Sequence, residues 1–332
     1  MTRLERIRDP AGAERWFALA SKCVPIDHPG LVAGSLEEVL HQLRGEQRSA
    51  RYAHFVAVDD GADVAYGTVR LPSRDNTSNA TVSISVLPSR RKQGIGTAFA
   101  KEILAFIRSE GRTSAVWTVG SPVSEESRGC GFSLALGARC VLSRLRRELE
   151  LTMVDESELE NLVKAKIDER DNGYELVTWV DRAPDHLVEG VARLVGRMST
   201  DTPHGDRSWE AEVWDASRWR EKEDDAFHSG RGRLAAGAVD QRGNLVAFTD
   251  IGVWKQEPSV AEQWNTIVEP EHRGHRLGLA VKIANLRHLR REVPAALRLE
   301  TWNANENRRM IAINELLGFQ IVERVDEFQL SI

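Results

Sequence analysis

The segment Leu87-Pro88-Ser89-Arg90-Arg91-Lys92-Gln93-Gly94-Ile95-Gly96-Thr97 decides the fold class of this 332-residue chain. Apolar residues over Ala80–Leu87 predict a strand before it, and after it Ile95, Phe99 and Ile103 recur at helical spacing. Glycines let a ligand approach the backbone closely, and the free N–H groups at the start of a helix attract anions. The segment therefore predicts a glycine-containing loop at a helix N-terminus, suited to a pyrophosphate, with a tight turn that binds no ligand as the alternative interpretation.

The same order of features occurs a second time, at an offset near 182 residues. The matches are Val64-Ala65-Tyr66 with Val246-Ala247-Phe248, Val86-x-Pro88 with Val268-x-Pro270, and, one residue short of that offset, Gly137 with Gly318. Ordered matches over a strand, a loop and a helix end indicate two copies of one domain.

Each copy predicts a meander of strands followed by a helix. The expected strands are Ala53–Val58, Val64–Leu71 and Ala80–Leu87 in the first copy, and Arg233–Val239, Leu245–Val253 and Glu262–Val268 in the second. We expect an α/β (α+β) protein in which each domain has a mixed, mainly antiparallel sheet flanked by helices. The expected domains are residues 1–155 and 174–332, joined by a linker helix and loop at 156–173.

Composition argues against several classes of partner. The chain has 45 basic and 50 acidic residues, a formal net charge of −5, which disfavours general nucleic-acid or anionic-membrane binding. No stretch approaches the run of about 18 apolar residues that a membrane span needs. Cys23, Cys130 and Cys140 lack zinc-site spacing. We therefore predict no metal site, and expect reduced, buried thiols in a cytoplasmic protein.

The loop differs from two other phosphate-binding motifs. A meander precedes it and only two glycines are correctly placed, which excludes the dinucleotide fingerprint. The Gly-Lys-Ser/Thr of a P-loop is absent. The Gly-x-Ser-x-Gly elbow that would indicate a serine nucleophile is absent, so the sequence gives no sign of covalent catalysis.

The loop and the strand before it resemble the GNAT acyltransferase signature, Arg/Gln-x-x-Gly-x-Gly/Ala after a strand that ends in hydrophobic-x-Pro. Members bind acetyl-CoA by its pyrophosphate at this loop, with the pantetheine arm along the strand. In the first copy the resemblance implies contacts from Val86, Leu87, Arg91, Gln93, Gly94, Gly96 and Thr97. In the second copy it implies contacts from Ile267, Val268, Arg273, Gly274, Arg276, Gly278, Leu279, Asn303 and Asn307. Arg276 stands where the first glycine is expected.

The family's second landmark is an asparagine, a tyrosine seven residues later, and Gly-Phe four residues beyond the tyrosine. The second copy has Asn307 and Gly318-Phe319 in register, but Asn314 takes the position of the tyrosine whose phenol often protonates the departing thiolate. In the first copy Glu126 and Ser133 take the two positions. The two-domain arrangement is similar to that of mycothiol synthases and other tandem actinobacterial members.

Acyl transfer to an amine needs a base, which the second copy offers on its predicted strands. Asp250 and Glu262 are the candidate bases. The alternative interpretation is that these two carboxylates are exposed strand residues or ion-pair partners. Asn265 and Thr266 are predicted to hydrogen-bond substrate or cofactor, or else to pair across strands. A cationic acceptor is predicted to contact Asp201, His204 and Asp206. The alternative interpretation is that these are solvated residues of a turn.

The resemblance implies acetyl transfer from acetyl-CoA to a primary amine of a small metabolite, such as an antibiotic, its precursor or a mycothiol-type amine. We expect the second copy to perform the chemistry, the first to bind CoA structurally, and the protein to be a monomer or homodimer. One alternative is a catalytically silent acyl-CoA sensor or scaffold. Another is an acyltransferase acting on protein or through aminoacyl-tRNA. The basic patch at Arg287, Arg290 and Arg291 favours the tRNA form, with a solvated helix face as the alternative interpretation of the patch.

Overall fold

The computed structural model describes residues 2–125, 128–166 and 173–332. Glu126, which replaces the family asparagine in the first copy, and residues 167–172 of the expected linker lie outside the described residues. Within the described part, no helix is long and apolar enough to cross a membrane.

The chain forms two compact units that interleave in sequence. Unit 1 comprises Met1–Ser143, His204–Glu210 and Glu323–Ile332, and unit 2 comprises Arg144–Pro203 and Ala211–Val322. These units differ from the contiguous ranges expected from the repeat, because each sheet recruits a strand from a distant part of the chain.

Unit 1 has a sheet in the order β1-β2-β3-β4-β5-β12, antiparallel except between β4 and β5. Its strands are β1 Arg3–Arg6, β2 Ala50–Asp59, β3 Ala62–Pro72, β4 Asn79–Val86, β5 Ser114–Ser121 and the greater part of β12 Gln320–Ser331. Its helices are α1 Pro10–Asp27, α2 Leu36–Arg44, α3 Ile95–Ser109 and α4 Arg128–Ala135. Ile95, Phe99 and Ile103 of α3 pack into one core with the sheet, as the helical period predicts.

Unit 2 repeats the arrangement, with the sheet order β6-β11-β10-β9-β8-β7. Among its described strand pairs, β10 and β11 are parallel and the others are antiparallel. Its strands are the greater part of β6 Arg139–Glu150, then β7 Tyr174–Val180, β8 Arg231–Asp240, β9 Leu245–Trp254, β10 Val260–Val268 and β11 Arg298–Ala304. Its helices are α5 Glu156–Lys166, α6 Val188–Asp201, α7 Ala216–His228, α8 Leu277–Glu292 and α9 Arg308–Leu316. The mixed, mainly antiparallel architecture predicted for each copy is confirmed.

The expected linker helix is part of a core rather than a free connection. Leu159 and Val163 of α5 are buried in the same cluster as Ile283 and Leu286 of α8. Removal of apolar side chains from water stabilises this packing by about 1.5–3 kcal/mol for each fully buried aliphatic side chain. The helix is therefore an integral element of unit 2.

The parallel strands of each unit separate after a short paired stretch. In unit 2 the pairing joins Val260–Glu262 to Arg298–Glu300, and in unit 1 it joins Asn79–Thr81 to Ser114–Val116. Beyond these residues the strands of each pair continue unpaired as far as the described registers go. Each unit thus opens a wedge that points toward its glycine-containing loop.

A β-bulge distinguishes β10 from its counterpart β4. Opposite β9 the register shifts between Gln263 and Thr266, whereas β4 pairs with β3 without a break from Thr81 to Val86. One extra residue in a strand bends it and re-aims its side chains.

One expectation about the cysteines is wrong. Cys23 and Cys130 are buried, as expected, but Cys140 is exposed. It lies in the second position of β6, where the neighbouring Arg139 is also exposed, so the start of this strand is not covered.

Candidate active site

Arg91 secures the loop of unit 1 to the strand that precedes it. Its Nε donates to the carbonyl oxygen of Val86 at 2.9 Å, and its Nη2 donates to Asp27 Oδ1 at 2.6 Å. Asp27 is the last residue of α1. The guanidinium that we expected to face phosphate therefore joins the loop, the end of β4 and the end of a helix.

Arg273 makes the same contacts in unit 2. Its Nε donates to the carbonyl oxygen of Val268 at 3.1 Å, and its Nη2 donates to Asp201 Oδ2 at 2.6 Å. Asp201 ends α6 as Asp27 ends α1. Asp201, predicted as an acceptor contact, has its carboxylate occupied by this pair and by Arg197 at 3.3 Å.

The residues that start α3 and α8 share a left-handed backbone. The N-cap of α3 is Gly94 at φ +80°, and the N-cap of α8 is Arg276 at φ +58°. Arg276 therefore adopts the conformation for which the family uses glycine, at a steric cost of about 1–2 kcal/mol for a residue with a Cβ. Its side chain is exposed, so the backbone of the turn stays accessible to an anion.

Gly278 lies close to neighbouring side chains within the first turn of α8. A Cβ there would lie 3.3 Å from Ile313 Cδ1 of α9 and 3.7 Å from Val268 Cγ2. The corresponding Cβ at Gly96 would lie 3.6 Å from Val86 Cγ2. Both glycines therefore lie beside the end of the preceding strand, at the mouth of the wedge.

Glu262 and Glu300 lie opposite each other at the closed end of the wedge in unit 2. The side chain of Glu262 is 24% exposed, and its Oε2 accepts hydrogen bonds from Arg231 Nη1 at 3.1 Å and from Trp264 Nε1 at 3.0 Å. Arg231 in turn stacks on Trp254, with 3.7 Å from its guanidinium carbon to the ring centroid. Glu262 is thus an ordered carboxylate that solvent or substrate can reach.

Sequence reasoning missed Glu300. Its side chain is fully buried, and its Oε1 accepts a hydrogen bond from Arg146 Nη1 at 2.9 Å. Burial raises the pKa of Glu300 to about 7, against the opposing effect of Arg146. On β6, Glu148 lies opposite Glu300. The available signal was a glutamate between Leu299 and Thr301 in an otherwise strand-like run, but the pairing of β6 with β11 is not visible in sequence.

Unit 1 has no carboxylate at the corresponding positions. By strand register, Thr81 corresponds to Glu262 and Val116 corresponds to Glu300. Gln329, opposite Val116, corresponds to Glu148. Two units with the same architecture therefore differ in charge at the closed end of the wedge.

Asp250 is fully buried and engaged on both oxygens. Its Oδ2 accepts from Arg233 Nη1 at 2.5 Å. Its Oδ1 accepts from the backbone N and the side-chain Nδ2 of Asn265 at 2.9 and 2.8 Å. These contacts correspond to the charge-partner interpretation, and they fix the bulge in β10.

Asn265 and Thr266 make their contacts across strands. The carbonyl oxygen of Asn265 accepts from Thr249 Oγ1 at 2.8 Å, and the hydroxyl groups of Thr249 and Thr266 are also 2.8 Å apart. Both residues are half-buried. The structure therefore gives them the cross-strand role that the sequence left open.

The asparagines of the second landmark form a polar link between β11 and α9. Asn314 is fully buried and donates from Nδ2 to Asn303 Oδ1 at 2.6 Å. Asn307 caps α9, since its Oδ1 accepts from the backbone N of Met310 at 3.3 Å. In unit 1, Ser133 takes the place of Asn314 and accepts from Trp117 Nε1 at 2.8 Å.

His204 and Asp206 do not join the predicted acceptor site of unit 2. They belong to the segment His204–Glu210, which packs in unit 1. His204 Nδ1 accepts from Arg207 Nη2 at 2.9 Å, and the backbone N of Asp206 donates to the carbonyl oxygen of Val141 at 2.9 Å. Gly205, at φ +58°, allows the approach to Val141 because a Cβ would clash there.

The arginines of the basic patch on α8 form ion pairs within unit 2. Glu156 of α5 pairs with Arg287 Nε at 2.5 Å and with Arg290 Nη1 at 3.3 Å. Arg291 pairs with Glu292 at 2.8 Å. Each arginine of this patch therefore has a carboxylate partner within unit 2.

Comparisons with known proteins agree with this geometry. Residues 16–130 match the Acetyltransferase (GNAT) family. A mycothiol acetyltransferase from Actinosynnema mirum is 26% identical over 318 residues, covering 94% of this chain and 93% of the relative. One from Salinispora arenicola is 26% identical over 271 residues, covering 80% and 78%.

Among solved structures, a tandem GNAT protein from the clavulanic acid biosynthesis pathway is similar with a TM-score of 0.83 and 25% identity, covering 100% of this chain and 98% of that one. The fold, the repeated loop and these matches define an acyltransferase. The match over residues 16–130, together with the relatives and the structural neighbour that extend over nearly the whole chain, supports a tandem GNAT N-acetyltransferase with one mixed sheet in each unit.

Proposed function

We propose that unit 2 transfers an acetyl group from acetyl-CoA to the primary amine of a small metabolite. A mycothiol-type amine is supported by the names of the relatives, and an antibiotic or its precursor is supported by the pathway of the structural neighbour. The observation that carries the assignment to unit 2 is its set of carboxylates, Glu262, Glu300 and Glu148, in place of Thr81, Val116 and Gln329.

Glu262 is the proton acceptor. A primary amine is protonated at neutral pH, so it becomes a nucleophile only after a base removes one proton. Glu262 is the partly exposed carboxylate at the closed end of the wedge, and Arg231 and Trp264 fix its orientation. Its negative charge also favours a cationic acceptor.

The wedge between β10 and β11 holds the pantetheine arm of the donor, and the first turn of α8 holds its pyrophosphate. Helix N-terminal N–H groups and the close approach permitted at Gly278 suit an anion. Arg273 supports this site by fixing the loop to Val268. The loop at Gly94 in unit 1 binds a second CoA, without chemistry.

The departing thiolate leaves without help from a phenol. Asn314 has an amide in the position of the family tyrosine, and the amide is buried against Asn303. A thiol has a pKa of about 8.5, so the sulfur can take the second proton of the attacking nitrogen as the tetrahedral species collapses.

A release assay for free CoA thiol tests the proposal, with acetyl-CoA and a panel of small amines that includes the amine precursor of mycothiol. We expect turnover by the wild type, and a loss of about 10²–10⁴-fold in kcat for Glu262→Gln, the range for a lost general base. Thr81→Val, at the matched position of unit 1, should leave kcat unchanged. Equal losses in both variants, or no turnover with any amine, would refute the assignment.

A further inference from the structure

Glu300 is a second carboxylate beside the proposed base. Its Oε1 is held by Arg146, whereas its Oε2 is enclosed and has no hydrogen-bond partner among the residues that the structure describes. A buried carboxylate oxygen without a donor is costly unless it carries a proton. Oε2 is therefore a position where a proton would be stabilised.

Charged groups surround Glu300 on three strands. Arg146 and Glu148 face it from β6, Glu262 faces it from β10, and Arg298 lies two residues away on β11. Burial is the largest influence and raises its pKa, Glu148 and Glu262 raise it further, and the two arginines lower it. The net result, a pKa of about 7, lets this group take up and release a proton near neutrality.

We propose that Glu300 is the buried half of a two-carboxylate base, and that its Oε2 receives the proton that Glu262 removes from the acceptor ammonium. This inference rests on the proposed function. Residues opposite each other on paired strands are about 4.8 Å apart at the backbone, which brings two glutamate side chains within reach of each other directly or through one water.

The proton steps balance without a further reactant. An N–H bond of the ammonium breaks as an O–H bond forms on Glu262, and the same proton then moves to Glu300 Oε2, which restores the Glu262 carboxylate. The second nitrogen proton leaves on the CoA sulfur. After the amide product departs, the stored proton returns through Glu262 to water.

Two coupled carboxylates titrate as a pair, so their joint behaviour is the measurable property. We expect kcat/KM of the wild type to fall below an apparent pKa near 7, the value for Glu300. In Glu300→Gln the acid limb should move to lower pH by at least one unit. The plateau rate should fall by about tenfold, because the proton that Glu262 removes no longer has a second acceptor. The Kd for acetyl-CoA should not change.

Glu148→Gln is the matched control, since Glu148 also flanks Arg146, at 3.7 Å, on the other side of Glu300. This variant removes one neighbouring charge that raises the pKa of Glu300 but keeps Glu300 itself, so its acid limb should move to lower pH by less than the limb of Glu300→Gln does. A Glu300→Gln enzyme with the wild-type limb would show that Glu300 has only a structural role, and the proposal would fail.

Infrared titration of the unliganded protein tests the pair independently of turnover. We expect a buried carboxylic-acid band that disappears as pH rises through about 7 in the wild type, the value for Glu300. In Glu262→Gln its midpoint should be lower, because a neighbouring negative charge is gone. Absence of the band in the wild type overturns this inference whatever the turnover. A titrating band without turnover on any amine refutes the proposed function instead.

Discussion

Asp250 and Arg233 form an ion pair in which both side chains are buried, with 2.5 Å between Asp250 Oδ2 and Arg233 Nη1. Removing one partner of such a pair leaves a buried charge uncompensated, at a cost of about 3–5 kcal/mol. We therefore expect Asp250→Ala to lower the free energy of unfolding by that amount, measured by urea denaturation. Asp250→Leu combined with Arg233→Met should recover most of it, and an Asp250→Ala protein as stable as the wild type would contradict the structural role.

The helix N-termini of the two units make separable contributions to CoA binding. Gly278→Glu should abolish both turnover and binding at unit 2, because it adds a negative charge and a side chain close to Ile313. Gly94→Glu should remove one equivalent of acetyl-CoA from a calorimetric titration and leave turnover intact. Loss of turnover in Gly94→Glu alone would reverse the assignment of the units.

Lys282 is an unusual buried cation on α8. It is 2% exposed, its Nζ has no hydrogen-bond partner within the described residues, and the ring of Phe319 lies 5.4 Å away. Burial lowers its pKa from 10.5 to about 7. Between these two pH values the unfolded chain therefore holds one more proton on this lysine than the folded protein does. The lysine lowers the free energy of unfolding most at pH 7 and below, and least near pH 10.5.

We accordingly expect Lys282→Met to raise the melting temperature at pH 7. This increase over the wild type should become smaller as the pH is raised toward 10. The slope of the difference should approach about 1.4 kcal/mol per pH unit, the value for one proton. Thermal denaturation of both proteins across this range measures it. A gain independent of pH would mean that the lysine is charged in the folded state.

Arg276 holds a backbone conformation that glycine adopts without strain, at φ +58°. We expect Arg276→Gly to stabilise the protein by about 1 kcal/mol, the lower end of the steric cost of this conformation, as measured by chemical denaturation. Acetyl-CoA should still bind, because the backbone of the turn carries the contact. Arg90→Gly is a control in which an arginine of the unit 1 loop, which has no positive φ, is replaced without relief of strain, and it should not stabilise the protein.

The sequence predicted the repeated strands, loops and helices because hydrophobic period and turn chemistry are local. It did not predict that Glu323–Ile332 completes the sheet of unit 1 or that β6 completes the sheet of unit 2, since strand pairing between distant segments leaves no local pattern. Glu262 was predicted, and its neighbour Glu300 was not, for the same reason. Asp201, too, was assigned to an acceptor because its partner Arg273 is far along the chain.

The strand that completes the sheet of unit 1 follows all the other described strands of the second copy in the chain. While the ribosome makes the second copy, β5 has an open edge, because its partner residues Arg324–Ser331 have not yet emerged. The N-terminal half therefore cannot reach its final state ahead of the C-terminal half, and a fragment cut at residue 155 would carry that open edge permanently. Premature termination anywhere in the second copy damages the first as well.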